Sequence, residues 1–220
     1  MRKTKISTGE HYHIYNRGND KQNIFLDDRD RVRFLFSLLH LQGSQTFDQL
    51  NRQVNYFVRH RVFDIDSVVR EKIIKERRLG LVAFALMPNH FHLILNEREE
   101  GGIANYMQRI LNGYTKYFNT KYKRSGHLFQ GPYQAVHIKD NDQFLYTSAY
   151  VHRNCRTLEN WVDKEKLFPW STLQDYVTTD RWQGLIEKEL IQEQFPTSYE
   201  YENWVATSGA KELDDAVEFD

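Results

Sequence analysis

Two histidines stand two positions apart, His90 and His92, inside the apolar run LMPNHFHLIL from Leu86 to Leu95. In an extended strand, side chains two apart share a face, about 6.5–7 Å apart along the chain. His90 and His92 therefore point one way, and Phe91 and Leu93 the other. Each imidazole needs a polar partner when buried. A divalent metal satisfies both at once; two ordinary core histidines with separate partners fit the spacing as well. A second group has the pattern Tyr146-x-x-x-Tyr150-x-x-x-Asn154. Residues four apart lie on one helical face, so two phenols and an amide form a stripe. An amide oxygen is a hard donor that suits Mg²⁺ or Mn²⁺ beside two imidazoles. A tyrosine one turn away then reaches a phosphate that the metal polarises. The plain alternative is two core tyrosines and an asparagine that ends a helix.

These residues need elements to hold them. HYHIYNRG (residues 11–18) alternates, is rich in aromatics and stops at glycine, the pattern of a strand. Residues 27–42 begin with aspartates and carry Val32, Leu35, Phe36, Leu38 and Leu39, an amphipathic helix with an aspartate N-cap. Residues 43–78 are charged, with scattered apolar positions, and read as a helical insert. LGLVAFALM and HFHLILNE are strands on either side of a Pro-Asn break. Residues 101–124 form a long helix, residues 133–138 a strand, and residues 141–155 a helix capped by Asn141 or Asp142. After Pro169 the chain reads as peripheral, and from about Thr207 as frayed. The order β-α-(insert)-β-β-α-β-α predicts an α+β fold. Its core is the ferredoxin-like (RRM-like) βαββαβ arrangement with a mainly antiparallel sheet, a helical insert and a C-terminal extension. The expected division is a domain over residues 1–177, with its insert at 43–78, and an acidic extension over residues 178–220.

The 220 residues, 40% of them apolar, suffice for one sizeable core. No apolar run approaches the roughly 20 residues of a membrane span, and the charged N-terminus has no apolar secretory segment. The single cysteine, Cys155, cannot form an internal disulfide, which fits a reducing, cytoplasmic setting. The net charge of zero hides an asymmetry. Residues 103–139 hold six Lys/Arg and no acid, whereas residues 183–220 hold ten acids against two lysines. The basic stretch also carries Tyr106, Tyr114, Tyr117, Phe118, Tyr122, Phe129 and Tyr133. Cations interleaved with aromatics suit a nucleic-acid strand, by phosphate neutralisation and base stacking; a solvated amphipathic helix with an aromatic core face has the same composition.

The chain resembles the single-tyrosine HUH transposases, most closely the REP-associated tyrosine transposases of bacteria. The stretches that carry this are HYHIYNRGNDKQNIFLDDRDRVRFL, MPNHFHLIL, YTKYFNTKYKRSGHLFQGPYQA, AYVHRN and FPWSTLQDY, which together span about residues 11 to 177. The resemblance implies that His90, His92 and Asn154 are metal ligands and that Tyr150 is the nucleophile, with Mg²⁺ or Mn²⁺ as cofactor. It implies cleavage and strand transfer of single-stranded, hairpin-containing DNA through a covalent 5′-phosphotyrosine. DNA contacts are expected from Arg17, Arg109, Lys116, Lys121, Lys123, Arg124, His127 and Gln130. Two departures stand out. Pro132 follows GHLFQG where the family usually has Arg or Lys, and Cys155 follows Asn154 where the family usually has proline. Relatives include dimers with the tyrosine helix supplied in trans as well as monomers, so a homodimer is compatible with the sequence.

Three functions compete. The first is the metal-dependent transferase just described. The second is a non-catalytic single-stranded nucleic-acid-binding module on the same fold, for which the four-residue set His90, His92, Tyr150 and Asn154 has no use. The third is a metal hydrolase with water as nucleophile, which needs no Tyr150. Tyr146 is the alternative nucleophile. His152 points off the tyrosine stripe, and His11 and His13 alternate with Tyr15 on the first strand, where either a DNA-facing or a structural role fits.

Overall fold

The computed structural model describes residues 4–44 and 50–209. Its elements run β1 (His11–Arg17), α1 (Asp28–His40), α2 (Leu50–His60), α3 (Ser67–Lys75), β2 (Leu79–Met87), β3 (His90–Glu97), α4 (Gly102–Lys121), β4 (Gln134–Ile138), α5 (Asn141–Arg153), α6 (Leu173–Val177), α7 (Glu189–Gln192) and α8 (Ser198–Thr207). The four strands form one sheet in the order β2-β3-β1-β4. Every neighbouring pair is antiparallel. This is the expected ferredoxin-like βαββαβ core, with its helical insert at α2 and α3.

Local chemistry explains the boundaries. Asp27 caps α1 by accepting from the Asp30 amide. Glu97, buried at the end of β3, accepts from the Gly102 and Ile103 amides and so places a carboxylate on the α4 N-terminus. The cap of α5 is Asp140, which accepts from the Gln143 amide, rather than Asn141 or Asp142. Three adjacent cap-forming residues compete there, and the backbone turns helical directly after the first.

The chain beyond Pro169 is not peripheral. It covers the β2 edge, which would otherwise present unpaired backbone groups. The Leu86 amide donates to Trp170 O (2.8 Å), the Thr172 amide to Phe84 O (3.1 Å) and the Glu187 amide to Leu81 O (2.8 Å). All nine residues of β2 are consequently buried. Trp182, itself buried, packs its ring against Phe57 and Phe63 from the insert side and Phe84 from the sheet. Apolar patterning in this segment is too irregular to announce such burial. The fraying expected at the C-terminus falls mostly on residues 210–220, outside the described residues. Among the described residues no helix is long and apolar enough to cross a membrane.

Candidate active site

Strand register fixes which side chains meet. Tyr15 lies opposite His92 and Arg17 opposite His90, so these four and His13 share one face of the sheet. The opposite face carries Tyr12, Ile14, Phe91, Leu93 and Leu95, all buried in the main core. Helix α5 crosses the histidine face. Its Tyr150 ring stands edge-on to His92 at 5.2 Å and to His13 at 5.7 Å between centroids. At the helix end, Asn154 brings its Oδ1 to 2.9 Å from His90 Nε2. The other His90 nitrogen, Nδ1, is 2.6 Å from Asn89 Oδ1. His92 Nδ1 is 2.9 Å from His13 Nε2. The His90 and His92 rings are 5.1 Å apart and nearly perpendicular.

Burial keeps His92 and His13 neutral. Burial, reinforced by His13, His90 and Arg17, holds His92 well below the ordinary imidazole value. Burial alone pushes His13 down to about 4. Neutral imidazole is the form that ligates a metal.

The donor set fits a divalent ion. Among the described residues no group of three or more His, Cys, Asp or Glu could hold a metal; the oxygen that stands beside His90 Nε2 is that of the Asn154 amide. An imidazole nitrogen and a hard amide oxygen, 2.9 Å apart at His90 and Asn154, are donors of the kind that Mg²⁺ or Mn²⁺ accepts. Asn89 and His13 stand behind the two imidazoles, where second partners orient metal-binding histidines.

The structure brings together His90, His92, Tyr150 and Asn154. It separates Tyr146, whose exposed ring packs on Trp204 of α8. His152 is buried between Thr172 Oγ1 (2.9 Å) and the Tyr201 hydroxyl (2.8 Å), closed to any DNA. His13 beside His92 is the contact that sequence left unresolved; its partner lies 79 residues away.

The eight residues expected to contact DNA divide. Arg17 ends β1 opposite His90, and its carbonyl accepts from the Gln130 amide, which places the exposed Gln130 beside the site. Gly131, at φ +95°, turns this loop back so that its carbonyl accepts from Asn16 Nδ2. Exposed Lys116 and His127 line a groove of about 970 Å³ between α4 and residues 127–133. Lys123 is exposed. Three others are engaged by the protein. Arg109 donates to Gly43 O, and Arg124 donates to Gln22 Oε1 and His127 O. Lys121 pairs with Asp27 and Asp30.

Comparison with known proteins follows the same lines. Residues 49–154 match the family described as Transposase IS200 like. No curated protein matches the chain. A solved structure, "Structure of the REP associates tyrosine transposase bound to a REP hairpin", is similar at 12% identity and a TM-score of 0.54, over 82% of this chain and 87% of that one. The family match bears out the resemblance read from the motifs, and the structural likeness bears out the fold.

Proposed function

Starting from the match to the IS200-like transposase family, we propose that the chain cleaves and rejoins single-stranded, hairpin-bearing DNA through a covalent bond to Tyr150. The observation that carries this is the convergence of His90 Nε2 and Asn154 Oδ1 at 2.9 Å, with the Tyr150 ring on the adjoining His92. A hairpin substrate is suggested by the DNA in the similar structure. The proposed domain is residues 1–177, with residues 178–209 packed on it.

His90, His92 and Asn154 would hold Mg²⁺ or Mn²⁺. When bound, such an ion polarises the scissile phosphate and stabilises the charge that builds on its oxygens. The chain's own residues do the rest. His92, held neutral by burial, offers a lone pair without a competing proton, and His90 offers its Nε2 beside the Asn154 amide. Helix α5 holds the Tyr150 ring on the histidine face. The Tyr150 oxygen attacks phosphorus in line, losing its proton. The bond from phosphorus to the 3′ oxygen breaks, and the leaving oxygen takes up a proton to become a free 3′-hydroxyl. A 5′-phosphotyrosine results. Because the phosphoester is conserved, the 3′-hydroxyl of another end can reverse the attack and join strands. Arg17 and Gln130 at the site, with Lys116 and His127 in the groove, would position the strand.

The test is incubation with labelled single-stranded hairpin DNA and Mn²⁺, read on native and denaturing gels. A covalent adduct with the native protein and none with Tyr150→Phe is expected. Cleavage without an adduct would point to a hydrolase, and a native shift without cleavage to a binding module.

A further inference from the structure

We propose that His13 is a positioning residue: it holds His92 as the Nδ1–H tautomer and so turns the Nε2 lone pair of His92 toward the metal. This rests on the metal-binding reading of His90, His92 and Asn154. Two neutral ring nitrogens at 2.9 Å share one proton, so one donates and the other accepts. Ring geometry shows that the contact is a true hydrogen bond. Each nitrogen lies about 1.1 Å from its ring centre, so a linear bond of this length separates the centres by about 5.1 Å. The observed separation is 5.1 Å, with the ring planes only 22° apart. The rings therefore meet edge to edge in nearly one plane.

The direction of the bond follows from what His92 has to do. Its Nδ1 is engaged by His13, so Nε2 is the nitrogen left for a metal. A ligating Nε2 carries no proton, so Nδ1 must carry it and His13 Nε2 must accept. Without an acceptor there, the ring is free to hold its proton on Nε2, where it blocks ligation. Register explains why the contact exists. Tyr15 lies directly across from His92 and His13 lies one pleat further along the same face, diagonal to it. His90 has its own orienting oxygen, Asn89 Oδ1, so the two imidazoles are held by different partners.

The experiment is long-range ¹H–¹⁵N NMR of histidine-labelled, metal-free protein, which reads each tautomer directly, combined with Mn²⁺ titration followed by EPR. The native protein should show His92 protonated on Nδ1. His13→Gln, whose side-chain oxygen falls near the original Nε2, should keep that tautomer and bind Mn²⁺ within a few-fold of native. His13→Leu should lose the tautomer bias and weaken Mn²⁺ binding by about 10- to 100-fold, the usual effect of removing such a partner. His92 protonated on Nε2 in the native protein would overturn the proposal, as would His13→Leu with unchanged tautomer and affinity. Should His13→Leu not fold, the native and His13→Gln spectra decide. Native protein that binds no Mn²⁺ would sink the metal reading instead, while the metal-free tautomer would still decide the role of His13.

Discussion

His90 Nε2 and Asn154 Oδ1, 64 residues apart in sequence, stand 2.9 Å from each other. Asn89 already faces the other nitrogen of the same ring. Two oxygens on both sides of one imidazole suit a ring whose Nε2 meets a cation shared with the amide. Asn154→Ala should therefore weaken Mn²⁺ binding by about 10-fold or more, whereas Asn154→Asp, which keeps an oxygen in place, should retain it. EPR titration of free Mn²⁺ distinguishes the two; equal losses would show that the amide is not a ligand.

The two tyrosines of the α5 stripe should behave oppositely. Tyr150→Phe is expected to abolish the covalent adduct and leave Mn²⁺ affinity as in the native protein, since only the hydroxyl is lost. Tyr146→Phe should form adduct at the native rate, because Tyr146 rests on Trp204. Adduct with Tyr150→Phe but not Tyr146→Phe would exchange the assignments.

Lys121 and Lys116 separate stability from DNA affinity. Asp30 is fully buried and accepts from Leu26 N, Tyr117 and Tyr122 as well as from Lys121. Lys121→Met removes the cation from this cluster and should destabilise the fold by about 1–3 kcal/mol, less than a fully buried pair because the lysine is partly solvated. Lys116→Ala should leave the urea midpoint nearly unchanged and lower the salt dependence of DNA binding by about one unit of slope. A Lys121 variant of native stability and weakened DNA binding would reverse these roles.

Acid should unfold the protein through its buried histidines. Burial pushes His40 down to about 4, against its bond to Phe36 O, and His152 down to about 3. Unfolded, both titrate near 6.5. The unfolded state then binds more protons below pH 6.5, so the stability is fully present above 6.5 and is lost as pH falls toward about 4 for His40 and about 3 for His152. At pH 5 each contributes a loss of up to about 2 kcal/mol. Urea midpoints at pH 7.5 and 5.0 measure this; a midpoint that does not fall on acidification would contradict it.

Tyr201 donates its hydroxyl toward Ser148 and meets His152 Nδ1, so α8 grips the back of the helix that bears Tyr150. Tyr201→Phe leaves these buried groups short of a partner and should cost about 1–3 kcal/mol, while folded molecules bind Mn²⁺ as before. Thermal unfolding and EPR titration read the two effects separately.

Much of this was legible in the sequence wherever the signal was local. The H-x-H spacing, the four-residue step from Tyr150 to Asn154 and the alternation of β1 each depend only on the period of one element, and each lies where periodicity puts it. What escaped depends on distant partners. The basic excess of α4 looked available for DNA because its counter-charges, Asp27 and Asp30, lie more than 90 residues earlier. The covering of β2 by Trp170 and Thr172 uses mainly backbone groups, which no side-chain pattern reports. His13 was visible as an alternating histidine, but only strand pairing sets it beside His92.

The contacts that assemble the histidine face join residues 79, 64 and 49 positions apart: His13 with His92, His90 with Asn154, and His152 with Tyr201. Each closes a long loop whose entropy is lost before the contact forms. The histidine face is therefore built from distant parts of the chain, and a protein that loses α8 loses an anchor of the helix that bears Tyr150 while the sheet that carries the histidines can persist.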